Sequence, residues 1–117
     1  MIVWYNYYIV KKETQIKIYK GKKRNQGIGG QYVTVNNKRL HDCCEVYNHS
    51  FGELNWGYGG SGAAQLALAI LVDYFENDTS RALSLYQDFK WDFVSKFGDE
   101  WQLTSDDIEI WLIKGGS

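Results

Sequence analysis

The sequence predicts an α+β domain, a small antiparallel sheet from the N-terminal half packed against three C-terminal helices. Three observations predict it. Residues 15–20 and 31–35 carry the short, β-branched and alternating patterns of strands. After the glycine run Gly57–Gly62 the apolar period lengthens to that of a helix. Breaker and capping residues then divide the remainder into three helices. At 117 residues the chain forms one domain, 1–117, able to bury roughly two-thirds of its unfolded surface.

In chain order, Met1–Val10 is aromatic and β-branched and reads as a strand. Residues 15–20 alternate, with Ile16 and Ile18 on one face. Gly21–Gly30, basic and glycine-rich, reads as a mobile loop or long hairpin connection. Gln31–Val35 is the next strand, and Asn36-Asn37 suits a type I′ turn returning Lys38–Leu40 as its partner. His41–Ser50 is irregular, and Leu54–Trp56 reads as a last short strand. Ala63–Glu76 is apolar on nearly every side, a central helix buried almost all round. Asn77–Thr79 breaks it, with Thr79 or Ser80 as the next cap. Arg81–Phe97 follows as an amphipathic helix striped by Ala82, Tyr86, Phe89, Phe93 and Phe97, with Asp88 and Lys90 toward water or an adjacent segment. Gly98 stands where a left-handed C-terminal residue belongs. Thr104 with Asp107 caps the last helix, Ser105 to about Lys114, which buries Ile108, Trp111 and Leu112.

Composition narrows the function classes. Hydrophobic residues at 44% and aromatics at 16% exclude a disordered chain. The start, Met1-Ile2-Val3-Trp4-Tyr5, lacks the basic region of a secretory signal, and no apolar run approaches the ~20 residues of a membrane span. These features argue for a soluble protein of the host-cell cytoplasm with no membrane partner. Cys43 and Cys44 are adjacent, so a reduced pair is expected. With His41 and His49 they fit no standard zinc spacing, and neither a metal nor a cofactor is expected. Residues 11–39 carry a net charge of +8 and residues 40–117 one of −9. Such asymmetry can steer an anionic ligand, although solvated lysines on exposed strands explain it as well. The acidic remainder argues against a nucleic-acid partner. The opposite charges, with aromatics in Met1–Val10, make a homodimer plausible.

The functional clue is Gly57-Tyr58-Gly59-Gly60-Ser61-Gly62. It satisfies G-x-G-x-x-G, but Ala63 and Ala64 stand where a P-loop needs Lys and Ser/Thr, and a second helix replaces the second strand of a dinucleotide-binding unit. The local physics survives both exclusions: glycines and unpaired N–H groups open a helix, where a phosphate or carboxylate gains up to about 2 kcal/mol. The competing reading is a tight turn that lets the helix cross the sheet closely. The candidate ligand-binding set is His49, Ser50, Trp56, Gly57, Tyr58, Gly59, Gly60, Ser61, Gly62 and Gln65. His49 and Glu53 are the candidate acid/base pair, with no nucleophile or metal assigned beside them, so the chain reads as a binding protein rather than an enzyme.

The stretch Asn48-His49-Ser50 through Trp56–Gly62 into Ala64-Gln65-Leu66-Ala67-Leu68-Ala69 resembles a small family of domains of unknown function from phages, plasmids, bacteria and haloarchaea. So do Tyr86-Gln87-Asp88-Phe89-Lys90 and Trp101–Ile108. The resemblance covers roughly residues 16–112 and leaves the residues before Thr14 as an addition; that family usually has proline at the place of Ala63. It implies a mobile-element setting in which short, non-enzymatic proteins counter host defences. The expected activity is sequestration of a small phosphate-bearing, nucleotide-derived ligand at Gly57–Gly62. The alternative is inhibition of a host defence protein, with the glycines purely structural.

Overall fold

The computed structural model describes residues 16–24 and 31–115. Four strands, β1 (Ile18–Lys22), β2 (Val33–Val35), β3 (Lys38–Arg39) and β4 (Glu100–Thr104), form one antiparallel sheet in the order β3-β2-β1-β4. Three helices, α1 (Ser61–Tyr74), α2 (Thr79–Asp92) and α3 (Ser105–Ile113), complete the α+β domain, with a 3₁₀ turn at Val94–Lys96. The strand expected at Met1–Val10, the N-terminal addition, and residues 25–30 of the expected glycine-rich loop lie outside the described residues; Gly21 and Lys22, expected in that loop, end β1 instead. No helix among the described residues is long and apolar enough to cross a membrane.

The β2–β3 hairpin forms as its turn chemistry demands. Asn36 and Asn37 take φ of 49° and 68°, the left-handed pair of a type I′ turn. The β1 register differs from the expectation. Tyr19 and Gly21 face the core, whereas Ile16 is 43% exposed and Ile18 only half-buried. Tyr19 prevails because its ring is fully buried while its hydroxyl donates to the Asp73 carboxylate on α1 at 2.8 Å. Burial, then the Asp73 charge, pushes the phenol well above its ordinary range and keeps it a donor. Lys17 Nζ reaches the same carboxylate at 3.2 Å and the Asp73 carbonyl at 2.8 Å, fastening the strand to the helix.

The fourth strand comes from between the second and third helices. Glu100–Thr104 alternates with Trp101 and Leu103 buried, and pairs along the whole of β1. Leu54–Trp56, expected as a strand, joins no ladder. It is an extended approach held by single bonds, Gln31 N–H to Leu54 O (2.8 Å) and Asn55 N–H to Gly62 O (3.2 Å).

α1 is the centre, buried without interruption from Gly62 to Val72. It begins two residues earlier than its apolar pattern suggests and ends when Glu76 and Asn77 turn left-handed, with Asn77 N–H on Val72 O at 2.9 Å. α2 is capped by Asp78, whose carboxylate accepts from Arg81 N–H, rather than by Thr79 or Ser80. It stops at Asp92, short of Phe97, and Gly98 is not left-handed: its carbonyl accepts the indole N–H of buried Trp56 at 2.8 Å. Ala82, Tyr86 and Phe89 still face the core, while Phe93 and Phe97 reach it from beyond the helix, half-buried. Trp111 of α3 stands edge-on to Phe89 and donates to Asp92 at 2.8 Å, tying α3 to α2.

At the start of α3 the expected capping box is present: Asp107 N–H donates to Thr104 Oγ1 (3.2 Å) and Thr104 N–H to Asp107 Oδ2 (2.9 Å). Because β4 runs straight into α3, the cap also fixes that corner. Thr104→Ala should lower unfolding stability by about 1 kcal/mol, read from urea denaturation; an unchanged midpoint would remove the box from the forces holding the corner.

Candidate functional site

The glycine run is a sharp turn wrapped in the protein's own aromatic rings. Gly57 has φ +87°, and its N–H donates to Val94 O at 3.0 Å, so the left-handed residue docks the turn on the chain following α2. A Cβ on Gly59 would collide with the Trp91 ring, and one on Gly60 with the Tyr58 ring. A Cβ on Gly62 would come within 2.8 Å of Asn55 Cβ. The glycines thus let Tyr58 fold back over the start of α1 and let Trp91 lie against Gly59. No described residue accepts the N–H groups of Gly59 to Ala63, and Gly60, the N-cap, offers no side chain. α1 also has no acidic residue in its first turn, in contrast to α3 with Asp106 and Asp107.

Gln65, fully buried, is the polar residue within the apolar run of α1. Its amide oxygen accepts from His49 N–H at 2.7 Å, and its nitrogen donates to the carbonyls of Asp42 (2.7 Å) and Tyr47 (3.1 Å). One side chain therefore pins both ends of the 42–49 loop to α1. The loop's own turns support this: Asp42 accepts from Cys44 N–H (2.9 Å) and Asn48 from Phe51 N–H (2.6 Å). Held in that way, His49 stacks on Tyr47 (4.4 Å between centroids) and shares a 2.7 Å hydrogen bond between its Nε2 and Tyr86 Oη.

Of the expected ligand-binding set, Gly57–Gly62, His49 and Gln65 gather at the N-terminal end of α1. Trp56 and Gln65 serve the interior, since both are fully buried. Ser50 Oγ donates to Glu53 O in a local turn. Ser61 is exposed as the first residue of α1, and Tyr58 is 46% exposed. His49 and Glu53 share no hydrogen bond among the described residues: the imidazole is engaged by Tyr86, and Glu53 is exposed. Nor is His49 part of the donor cluster in the cysteine turn. There His41, Cys43 and Glu45 bring donor atoms within 4.8 Å of one another, and His41 Nε2 already sits 2.9 Å from the Glu45 carboxylate. Burial, then the charges of Glu45 and Asp42, push the Cys43 thiol up to about 12.

Lys90, expected to face water or an adjacent segment, is instead buried against the body of the protein. It is 7% exposed, on the buried side of α2. Its Nζ lies 4.4 Å from the centre of the Trp91 ring that rests on Gly59, and among the described residues it makes no ion pair. Its charge is felt by His49, whose pKa is held below the ordinary 6.5 by burial first and by Lys90 second. The signal lay in the sequence: a lysine between Phe89 and Trp91, one helical turn after Tyr86, belongs to the apolar stripe of its helix.

Residues 19–114 match the family of unknown function DUF6166. The chain belongs to this family. The DUF6166 match runs from β1 through the last residues of α3, so the sheet, the glycine turn and the three helices are all parts of the family domain. Neither a curated protein nor a solved structure matches the chain.

Gln65→Leu should cost about 3 kcal/mol, because it leaves buried groups of the loop without partners, and should open residues 41–53 to limited proteolysis; unchanged cleavage would mean that the loop holds without its clamp. His49 gives a pH signature. Its folded pKa is depressed, so the unfolded chain takes up this proton first, and the associated stability is complete above about pH 6.5 and drains as pH falls below it. Urea midpoints from about pH 7.5 to about pH 5.5 should decline, and His49→Gln should flatten the decline; an equal slope in the variant would assign it to other groups.

Proposed function

We propose that the domain is a non-enzymatic binding protein that sequesters a small phosphate-bearing, nucleotide-derived ligand at the start of α1. The observation that carries this reading is Lys90: a buried ammonium with no ion-pair partner among the described residues, beside a helix N-terminus with no side-chain cap and no acid in its first turn. The Trp91 ring links the two, resting on Gly59 with Lys90 Nζ 4.4 Å from its centre, and among the described residues neither has an acidic partner, an arrangement that an anion would complete. Ser61 adds a hydroxyl donor, and the neighbouring rings of Tyr58 and Trp91 are 46% and 56% exposed, open to a base. In the phage and mobile-element setting implied by the resemblance, such sequestration would remove a signalling nucleotide from a host defence and would act in the cytoplasm.

One observation favours a second reading. The glycines are filled by Tyr58 and Trp91, which suits a structural turn in a protein that inhibits a host defence enzyme through its charged faces. Calorimetry and thermal-shift measurements against nucleotides and cyclic nucleotides separate the two. A binder should raise the unfolding midpoint of the natural protein. Lys90→Met should leave the ligand-free midpoint unchanged or higher, because an unpaired buried charge is replaced by an apolar chain, and should abolish the ligand-dependent shift. A panel with no binder, or one bound equally by the variant, would overturn the reading. Gly59 is a poor probe, since any side chain there displaces Trp91.

A further inference from the structure

The sheet has a second face. The alternation that turns Tyr19, Val33 and Leu103 into the core turns Lys20, Lys22, Thr34 and Gln102 the other way. The register gathers them: Lys20 stands between Thr34 and Gln102, Lys22 opposite Glu100, and Arg39 opposite Thr34. Lys20, Lys22, Arg24, Tyr32 and Gln102 are exposed, and with Thr34 they line a cleft of about 520 Å³. Glu100 is the one acid among the described residues lining it.

Two features of this face call for a ligand. Among the described residues, none of Lys20, Lys22, Arg24 and Arg39 is in an ion pair. Tyr32, 41% exposed, has the Arg24 guanidinium 5.2 Å and the Arg39 guanidinium 5.9 Å from its ring centre, which sets planar cations beside an aromatic face.

We propose that this face binds single-stranded nucleic acid, with phosphates on Lys20, Lys22 and Arg24 and a base stacked at Tyr32. The positive side chains follow an extended strand, with Lys20 and Lys22 about 7 Å apart along β1. Thr34 and Gln102 offer hydrogen bonds to base edges between them. An acidic polypeptide would satisfy the cations but has no use for the arginine–tyrosine stack; a base has a planar face for it. The net negative charge of residues 40–117 does not forbid this, because charges beyond about 8 Å are largely screened at physiological ionic strength. The site is independent of Lys90 and of the start of α1.

Fluorescence anisotropy with labelled 12-mers of deoxythymidine and of uridine, titrated over salt, tests the proposal. Affinity should fall with salt at a log–log slope of about −2, as expected for three phosphate contacts on a single strand. Lys22→Gln should reduce that slope by about 0.7. Tyr32→Ala should weaken binding ~10-fold with the slope unchanged. Lys90→Met should bind as the natural protein does. All but Lys90 are exposed positions, so an unchanged unfolding midpoint verifies the fold of each variant. Absence of binding at about 50 mM salt would overturn the proposal, since electrostatic binding is strongest there. So would a silent Tyr32→Ala combined with displacement of the oligonucleotide by polyglutamate, which would assign the face to acidic proteins.

Discussion

A helix buried on every side cannot carry a polar side chain unless the rest of the protein comes to meet it, and Gln65 sets that constraint. An amide moved out of water without partners loses several kcal/mol, so Gln65 is tolerated only because Asp42, Tyr47 and His49 supply two acceptors and a donor from one loop. The irregular 42–49 segment has little apolar content to hold it down, yet it is fixed at both ends by this one residue. From that follow the stacking of His49 on Tyr47 and its bond to Tyr86, and so the edge of the corner where the glycine turn and α2 meet.

The same corner combines a packing device with an uncompensated positive charge. The glycines permit close approach of Tyr58 and Trp91, a structural role sufficient to explain why side chains are excluded at Gly59 and Gly60. It does not explain the charge. The protein caps α3 with a threonine–aspartate box and adds an acid to its first turn, while it leaves α1 without either and buries a lysine nearby. Repelling features of this kind cost stability, and an anionic occupant is what would offset that cost. The sheet's outer face carries cations that form no ion pair among the described residues, but on exposed, solvated side chains, where they cost little, so the two positive regions are not of the same kind.

Much of the fold was legible in the sequence where local chemistry and tertiary packing agree. The Asn36-Asn37 turn, the central helix and the Thr104–Asp107 box each have a signal read within a few residues. β4 was not legible: Glu100–Thr104 is five residues between two helices, and only its partner β1 makes it a strand. The face of β1 was misread because Ile16 and Ile18 look more apolar than Tyr19, whose hydroxyl finds Asp73 on α1, far away in sequence. Of the candidate site, the glycine turn, His49 and Gln65 were legible as a group, but not that Gln65 and Trp56 are buried. Lys90 stands on the apolar stripe by its spacing from Tyr86, but its burial was not legible, because a lysine on an amphipathic helix normally carries its charged end to water.

The central claim is that the start of α1 and Lys90 together form an anion site. The most direct measurement is an NMR titration of ¹⁵N-labelled protein with inorganic pyrophosphate, following the backbone amides. The account predicts saturable shifts concentrated at Gly60–Ala63 and Lys90, absent in Lys90→Met. Amides at the start of α1 that stay unmoved while those of Lys20–Arg24 respond would contradict it.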